Sequence, residues 1–384
     1  MTDNSSKRGT ASHLGDDATM KLELDLRVGC AGIDLQVNQQ GAVGNTHVNV
    51  VRLLSEHPLW RGVIAYDVRA EVAVYKRKPP AFVGRLGSLP LPITDVAQTA
   101  MNVWLSHQTG GTDFSDSKLR RAIDLVARGN AFDPVVEYLN SLTWDGTSRL
   151  DHWLATYLGV EPSVFTRSVG PKFLIGAVAR ALRPGCKVDH VLVLEGEQGL
   201  GKTTALQILA GEYHRGDLPP LDSKDVKEAL RGAWIIELGE LASMNKSELT
   251  AAKNFLTLTN DNYRVPYGIR SETHPRRFVM AGSTNEREWM QDQTGNRRLW
   301  PVLCTAIDLC ALARDRDQLW AEAFVRFNRG EPWHLGDAQE IEAAKLEQEK
   351  RREVDPWEER VARFVCAHRD CVRRAIVATD SAAS

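Results

Sequence analysis

One segment in the middle of the chain constrains the fold more than any other. Residues 196–203 (GEQGLGKT) match the pattern G-x-x-x-x-G-K-[ST]. Residues 191–194 before this segment form an apolar run of strand length, and residues 203–210 after it have helical spacing. A glycine-rich turn between a strand and a helix lets backbone N–H groups and the positive end of the helix surround phosphate groups. The segment therefore predicts a nucleotide-phosphate loop.

The same pattern predicts a role for each residue of the loop. Lys202 is expected to reach the β- and γ-phosphates of a nucleotide, and Thr203 is expected to bind Mg²⁺. ATP and Mg²⁺ are therefore the predicted cofactors. The residues expected to bind the nucleotide are Gly196, Gly199, Gly201, Lys202, Thr203 and Thr204.

Hydrolysis also needs an acidic group near the magnesium, and the sequence offers two. Glu237 and Glu240 lie in residues 234–240 (WIIELGE), which begin as an apolar run. If the strand ends at Ile236, Glu237 meets the metal; if it runs through Leu238, Glu240 is the better candidate. Either glutamate could instead be an exposed acid at a strand end. The choice between them stays open.

Two later elements add polar groups of the kind that ATP hydrolysis uses. Residues 277–282 lead into Asn285, which could orient an attacking water or simply form a turn. Arg297 and Arg298 follow a glycine turn. They could form a surface anion site or supply an arginine finger to a neighbouring subunit.

The order of apolar patterns predicts an α/β fold. Short apolar runs near residues 188–194, 233–238 and 277–282 alternate with helical stretches, which favours a parallel sheet. The predicted organisation has five parts: a flexible tail over 1–20, a small α+β segment over 21–92, a helical domain over 93–183, a P-loop core over 184–335, and a helical C-terminal segment with a frayed end over 336–384.

Composition favours a globular protein of the cytoplasm. The chain is 43% hydrophobic and 26% charged. It has neither an apolar run near ~18 residues nor an N-terminal apolar signal segment, so no membrane association is expected. The formal net charge is −2, so any nucleic-acid contact must use a local basic surface. The six cysteines are scattered without the paired spacing of a zinc site.

Taken in order, these motifs resemble those of the superfamily-three helicases of viruses and mobile elements. More narrowly, the chain resembles the virulence-associated protein E family, which is linked to phage-like and genomic-island elements. The resemblance extends from about residue 45 to 360. It rests on residues 49–58 (NVVRLLSEHP), 134–151 (PVVEYLNSLTWDGTSRLD), 184–189 (PGCKVD), 234–241 (WIIELGEL), 263–268 (YRVPYG), 292–301 (DQTGNRRLWP), 330–333 (GEPW) and 355–359 (DPWEE).

The resemblance implies roles for further residues. Asn285 matches the sensor of these ATPases, and Arg297 or Arg298 falls where they place a trans-acting arginine. Residues 253–268 match a hairpin that faces DNA in the pore of a ring. The resemblance then implies that Lys253, Arg264 and Arg270 contact DNA phosphates and that Tyr263 or Tyr267 stacks on a base. The alternative is that these residues form a basic surface loop.

The resulting prediction is an ATP-dependent DNA helicase or translocase that acts in replication of a phage or mobile element. Its fold would be a P-loop NTPase (AAA+-like) α/β domain, preceded by a mainly helical region and followed by a helical tail. The expected partners are single-stranded DNA in a ring pore and further copies of the chain, with a hexamer as one form. Many relatives carry an upstream primase-type domain whose acidic motif is not recognised here, so a separate primase is a further expected partner.

Two alternatives share the phosphate loop. One is an ATPase that works as a switch or loader without unwinding DNA. The other is a replication-interference factor that binds nucleotide and DNA but has no unwinding activity.

Overall fold

The computed structural model describes residues 21–26, 29–30, 32–221, 223, 225–240, 246–264, 270–290, 296–352 and 364. The chain divides into two compact units, Met1–Phe132 and Asp133–Ser384. The predicted tail over 1–20 and nearly all of the segment after residue 352 lie outside the described residues.

The first unit combines short strands with three helices. Its strands are β1 (Leu22–Leu24), β2 (Ile64–Asp67), β3 (Val72–Tyr75), β4 (Ala81–Val83), β5 (Leu91–Pro92) and β6 (Ala131–Phe132), and its helices are α1 (His47–Glu56), α2 (Asp95–Gln108) and α3 (Asp116–Gly129). A four-stranded sheet has the order β5-β3-β2-β6, and β1 pairs with β4. Trp60 and Trp104 are fully buried in the core between the sheet and the helices.

The second unit begins with three helices and continues into alternating strands and helices. Its helices are α4 (Pro134–Ser141), α5 (Trp153–Leu158), α6 (Val164–Leu182), α7 (Lys202–Ala210), α8 (Val226–Ala229), α9 (Lys246–Thr257), α10 (Leu309–Asn328) and α11 (Ala338–Glu349). Its strands are β7 (Val191–Glu195), β8 (His214–Arg215), β9 (Ile235–Leu238), β10 (Asn260–Tyr263), β11 (Glu272–Pro275), β12 (Val279–Thr284) and β13 (Leu299–Leu303).

A five-stranded sheet organises the second unit. Its order is β13-β7-β12-β9-β8, and every pair in it is parallel. All residues of β7 and β9 are buried, because the sheet is covered on both faces and valine, leucine and isoleucine suit such strands. Leu192 and Leu194 pack into the core that includes α6, α7 and α10, whereas Val191 and Val193 face a second core on the opposite side. The predicted α/β fold with a parallel sheet is confirmed.

The helices between residues 93 and 183 are divided between the two units. Helices α2 and α3 bury Trp104 and Ile123 in the core of the first unit, whereas α5 and α6 bury Trp153 and Phe173 in the core of the second. Both suggested boundaries, near residues 92 and 183, therefore fall inside a unit. Apolar spacing shows which face of a helix is buried but not which neighbour covers it.

Candidate active site

The glycine-rich loop connects β7 to α7 at the carboxyl edge of the sheet. Gly196, Gly199 and Gly201 all have positive φ angles, of 148°, 82° and 96°. A Cβ atom at Gly196 would lie 2.7 Å from the carbonyl oxygen of Cys304, so only glycine fits there. Helix α7 starts at Lys202, which directs its N-terminal N–H groups toward the loop. This is the geometry that anions bind.

Lys202 lies within the curve of the loop. Its ammonium donates to the carbonyl oxygens of Gly196 and Glu197 at 2.7 and 2.9 Å, and to Oδ1 of Asn285 at 2.9 Å. The side chain is buried, and burial lowers the pKa of its ammonium. The structure thus brings Lys202 and Asn285 together, although they are 83 residues apart in the chain.

Glu237 lies beside Thr203 and is held by three side chains. Its Oε1 accepts hydrogen bonds from the hydroxyls of Thr203 and Ser283, each at 2.8 Å, and its Oε2 lies 3.2 Å from Nε2 of His214. Burial alone would raise the pKa of Glu237, but the hydrogen bonds from His214, Ser283 and Thr203 together lower it. The carboxylate is therefore kept ionised although it is only 4% exposed.

The two candidate acids occupy different positions in the same cleft. Strand β9 runs through Leu238, which by strand length alone favoured Glu240. Glu237 nevertheless contacts Thr203, because it lies on the same face of β9 as Ile235, which packs into the core that includes α7. Glu240 is exposed, has a φ angle of 49° and also lines the cleft.

The cleft at this edge of the sheet has a volume of about 530 Å³. Strand β7 has β12 on one side and β13 on the other, whereas the chain runs from β7 to the far edge strand β8. Such a switch in strand order opens a crevice at the carboxyl ends of parallel strands, where ligands bind. The cleft is lined by Gln198, Gly199, Leu200, Gly201, Lys202, Thr203, Thr204, Gln207, His214, Gly216, Asp217, Glu237, Gly239, Glu240, Ser283 and Asn285.

The oxygen groups in the cleft suit magnesium better than a transition metal. Thr203 and Glu237 offer a hydroxyl and a carboxylate, and Mg²⁺ usually takes one or two such protein ligands together with phosphate oxygens and water. Among the described residues, no group of three or more His, Cys, Asp or Glu side chains is placed to hold a metal ion by itself. The pairing of Thr203 with Glu237 fits a Mg²⁺ ion that takes its other ligands from phosphate and water.

Arg297 and Arg298 lie outside the residues that line this cleft in the described part of the chain. Both belong to the short 3₁₀ turn Asn296–Arg298 before β13. Arg297 is exposed, whereas Nε of Arg298 lies 4.0 Å from the carboxylate of Asp189. The geometry therefore distinguishes the two arginines, which the sequence did not.

Three of the five predicted nucleic-acid residues lie on or beside the β10–β11 hairpin in the described part of the chain. Arg264 and Arg270 are exposed on either side of its tip, and Tyr263 stacks on His274 with ring centroids 4.0 Å apart. Lys253 instead lies buried on α9, where its ammonium donates to Oδ1 of Asn296 at 3.1 Å. Tyr267 lies outside the described residues.

A buried ion pair anchors the base of this hairpin. The guanidinium of Arg276 donates to both carboxylate oxygens of Asp261 at 2.7 and 2.9 Å, and to the carbonyl oxygen of Phe255 at 2.5 Å. It also lies 3.9 Å from the ring centroid of Phe255. The hairpin strands are thereby tied to the end of α9, and exposed Arg264 and Arg270 lie beyond the opposite ends of these strands.

His214 and Ser283 belong to the site but were not assigned to it from the sequence. Ser283 stands two residues before Asn285, so its place at a strand end was a usable signal. His214 lies in a two-residue strand with no recognisable apolar pattern. Its contact with Glu237 depends on the pairing of β8 with β9.

Comparison with known proteins places the chain in a family. A family model described as the virulence-associated protein E-like domain matches residues 139–353, more than half of the chain, and the chain belongs to this family. This confirms the predicted family. No curated protein matches the sequence. None of the described helices is long and apolar enough to cross a membrane.

Solved structures give weaker similarities. The apo structure of the NrS-1 C-terminal region (305–718) is 13% identical with a TM-score of 0.45, covering 76% of this chain and 72% of that chain. An A-form apo structure of the same region is 11% identical with a TM-score of 0.45, covering 74% of this chain and 72% of that chain.

Proposed function

We propose that this member of the virulence-associated protein E-like family is a Mg²⁺-dependent ATPase of the superfamily-three helicase type, acting on DNA in replication of a phage or mobile element. The observation that carries the proposal is the cluster of Lys202, Thr203 and Glu237 at the glycine loop after β7. A buried ammonium, a hydroxyl and an ionised carboxylate meet there beside a helix N-terminus. Phosphate and magnesium recognition by P-loop enzymes uses these same groups.

Each residue of the cleft has a defined part in this proposal. The loop N–H groups and Lys202 bind the β- and γ-phosphates, and Lys202 exchanges its contacts with loop carbonyls for phosphate oxygens. Thr203 and Glu237 would hold Mg²⁺, which would supply positive charge beside the phosphates. Asn285 and Glu240 line the same cleft and orient the attacking water.

Motor function requires contacts outside the cleft. We assign DNA binding to Arg264, just after β10, and Arg270, just before β11, which are both exposed. Lys253 would contact DNA only if its hydrogen bond to Asn296 opened. In a ring of identical subunits, exposed Arg297 would act as the finger on the nucleotide of the neighbouring subunit. The proposed partners are thus single-stranded DNA, further copies of the chain and a separate primase.

ATP hydrolysis by the purified protein, with and without single-stranded DNA, tests the proposal. We expect turnover that rises severalfold with DNA and is lost in Lys202→Ala, because the lysine contributes to phosphate binding in both the ground and transition states. A strand-displacement assay then separates unwinding from translocation alone. The variant Glu237→Gln/Glu240→Gln should lose both activities.

The other outcomes distinguish the alternatives. Turnover that depends on Lys202 but is indifferent to DNA would favour a switch or loader. ATP binding without turnover at any protein concentration would contradict the motor for this chain alone. If the double glutamine variant kept its biological activity, a nucleotide-binding interference factor would replace the helicase.

A further inference from the structure

His214 reaches the oxygen of Glu237 that Thr203 and Ser283 do not contact. Its Nε2 lies 3.2 Å from Oε2, whereas both hydroxyls donate to Oε1. We propose that His214 is a positioning residue that holds the Glu237 carboxylate in the orientation that binds Mg²⁺ together with the nucleotide. This inference rests on the proposed ATPase function and adds a residue that the phosphate-loop pattern does not contain.

The local fold holds the backbone of His214 in place. Strand β8 pairs in parallel with β9, with His214 opposite Ile235. The backbone N–H of Trp234 donates to the carbonyl of Tyr213, and the guanidinium of Arg215 donates to the carbonyl of His214 at 2.7 Å. The backbone of His214 is thus paired with strand β9, and its carbonyl oxygen also accepts a hydrogen bond from the side chain of Arg215.

The contact between His214 and the Glu237 carboxylate is buried, so it can fix the orientation of the carboxylate. The side chain of His214 is only 8% exposed and that of Glu237 is 4% exposed, yet the histidine also lines the cleft. A donor is required at Nε2, because a carboxylate oxygen only accepts hydrogen bonds. A buried carboxylate held at one oxygen alone would keep rotational freedom about its last bond, and the contact with His214 removes it.

The three contacts also come from three separate elements. Thr203 lies on α7, Ser283 on β12 and His214 on β8, so together they fix the carboxylate relative to the glycine loop and the sheet. Partners that orient a metal-binding carboxylate typically change metal affinity or activity 10–100-fold when they are removed. A contribution of about this size is expected of His214.

Two amide substitutions separate a positioned donor from simple packing. In His214→Gln the side-chain amide nitrogen can take the position of Nε2, whereas in His214→Asn the shorter side chain places it nearer to Nδ1. Both variants are polar and smaller than histidine. His214→Ala removes the donor and most of the ring volume.

The test measures metal binding as well as activity. Mn²⁺ binding to each full-length variant with ADP is followed by electron paramagnetic resonance, beside kcat, KM for ATP and the melting temperature. We expect His214→Ala and His214→Asn to weaken Mn²⁺ binding and lower kcat about 10–100-fold. His214→Gln should stay within about 3-fold of the unaltered chain, because its amide restores the donor.

Four results would overturn the inference. One is Mn²⁺ binding by His214→Ala equal to that of the unaltered chain. Another is equal weakening in the glutamine and asparagine variants, in step with lower melting temperatures, since that pattern reports packing. If the unaltered chain bound no Mn²⁺ with nucleotide, the proposed ATPase and this inference would fail together. Turnover that is lost in Lys202→Ala but unchanged in His214→Ala would remove the inference alone.

Discussion

Arg351 and Glu195 form a buried ion pair that joins the residues after α11 to the last residue of β7. The guanidinium approaches the carboxylate at 2.9–3.1 Å, and Nε1 of Trp289 donates to the same carboxylate at 2.8 Å. Glu195 is 1% exposed and directly precedes Gly196 of the loop. The end of the sheet strand that leads into the glycine loop is therefore fixed by a residue 156 positions later in the chain.

Arg351→Met is expected to lower the free energy of unfolding by about 3–5 kcal/mol, because it leaves the Glu195 carboxylate buried without its ionic partner. The double variant Glu195→Gln/Arg351→Met should regain part of that loss, since a neutral amide costs less to bury. Urea unfolding measures both. Lys345→Met is the control, because Lys345 and Glu342 form an exposed pair whose loss should change stability by less than about 1 kcal/mol. Equal effects of Arg351→Met and the double variant would contradict the role of charge.

The sequence predicted those parts of the site that local patterns determine. The glycine loop, Lys202 and Thr203 follow from eight consecutive residues, and the parallel sheet follows from its apolar runs. Which of Glu237 and Glu240 contacts Thr203 depended on which face of β9 meets α7, and this is a tertiary property.

Longer-range contacts could not be predicted in the same way. Glu195 and Arg351 meet across 156 positions, and the two-residue strand with His214 has no periodicity of its own. Lys253 was predicted to contact DNA from its place in a motif, yet it lies buried beside Asn296. A motif gives the order of residues but not the depth of each side chain.

His190 should make stability depend on pH. It is buried against Trp300 with ring centroids 3.7 Å apart, and its Nε2 has no hydrogen-bond partner among the described residues. Burial, followed by the charges of Arg180 and His334, lowers the pKa of His190 to about 3. The folded chain therefore stays unprotonated at His190 in the pH range where the unfolded chain, with a pKa of about 6.5, takes up a proton.

Lowering the pH should therefore destabilise the folded chain. Because the unfolded state binds more protons between about pH 6.5 and pH 3, the contribution of His190 to stability is complete above about pH 6.5 and declines as the pH falls through that range. From about pH 7 to about pH 5 the decline amounts to about 2 kcal/mol. Urea unfolding of the unaltered chain and of His190→Phe, which keeps an aromatic ring on Trp300, should show a shallower pH dependence in the variant. Parallel curves would contradict the assignment.

Arg297 should act on a neighbouring subunit if the chain assembles as a ring. Arg297→Ala is expected to lower ATP turnover by a factor of about 10³ or more, the usual effect of losing an arginine finger. Mixing Arg297→Ala with Lys202→Ala should restore turnover, because an intact loop in one variant then meets an intact finger in the other. Random assembly of equal amounts would give up to about a quarter of normal activity.

Arg298→Ala provides the matched comparison in the same turn. Nε of Arg298 lies 4.0 Å from the carboxylate of Asp189 in its own chain, so its loss should not be rescued by mixing with Lys202→Ala. Rescue of Arg298→Ala but not of Arg297→Ala would show that Arg298, and not Arg297, acts on the neighbouring subunit. Failure of both mixtures, with the subunits shown to assemble, would contradict a shared site.

The exposed arginines of the β10–β11 hairpin should set the salt dependence of DNA binding. Arg264 and Arg270 flank the tip, and the Asp261–Arg276 ion pair anchors the base, so substitutions at the tip leave that base intact. Arg264→Ala/Arg270→Ala should weaken binding to single-stranded DNA of any sequence and reduce the slope of log K against log salt by about 1.4, or about 0.7 for each phosphate that an arginine no longer neutralises.

Fluorescence anisotropy over a salt series measures the slope, and Arg167→Ala, an exposed arginine on α6, serves as the control. An unchanged slope in the hairpin variant, or an equal change in the control, would assign the DNA-binding surface elsewhere, because a protein that neutralises fewer phosphates must release fewer counterions.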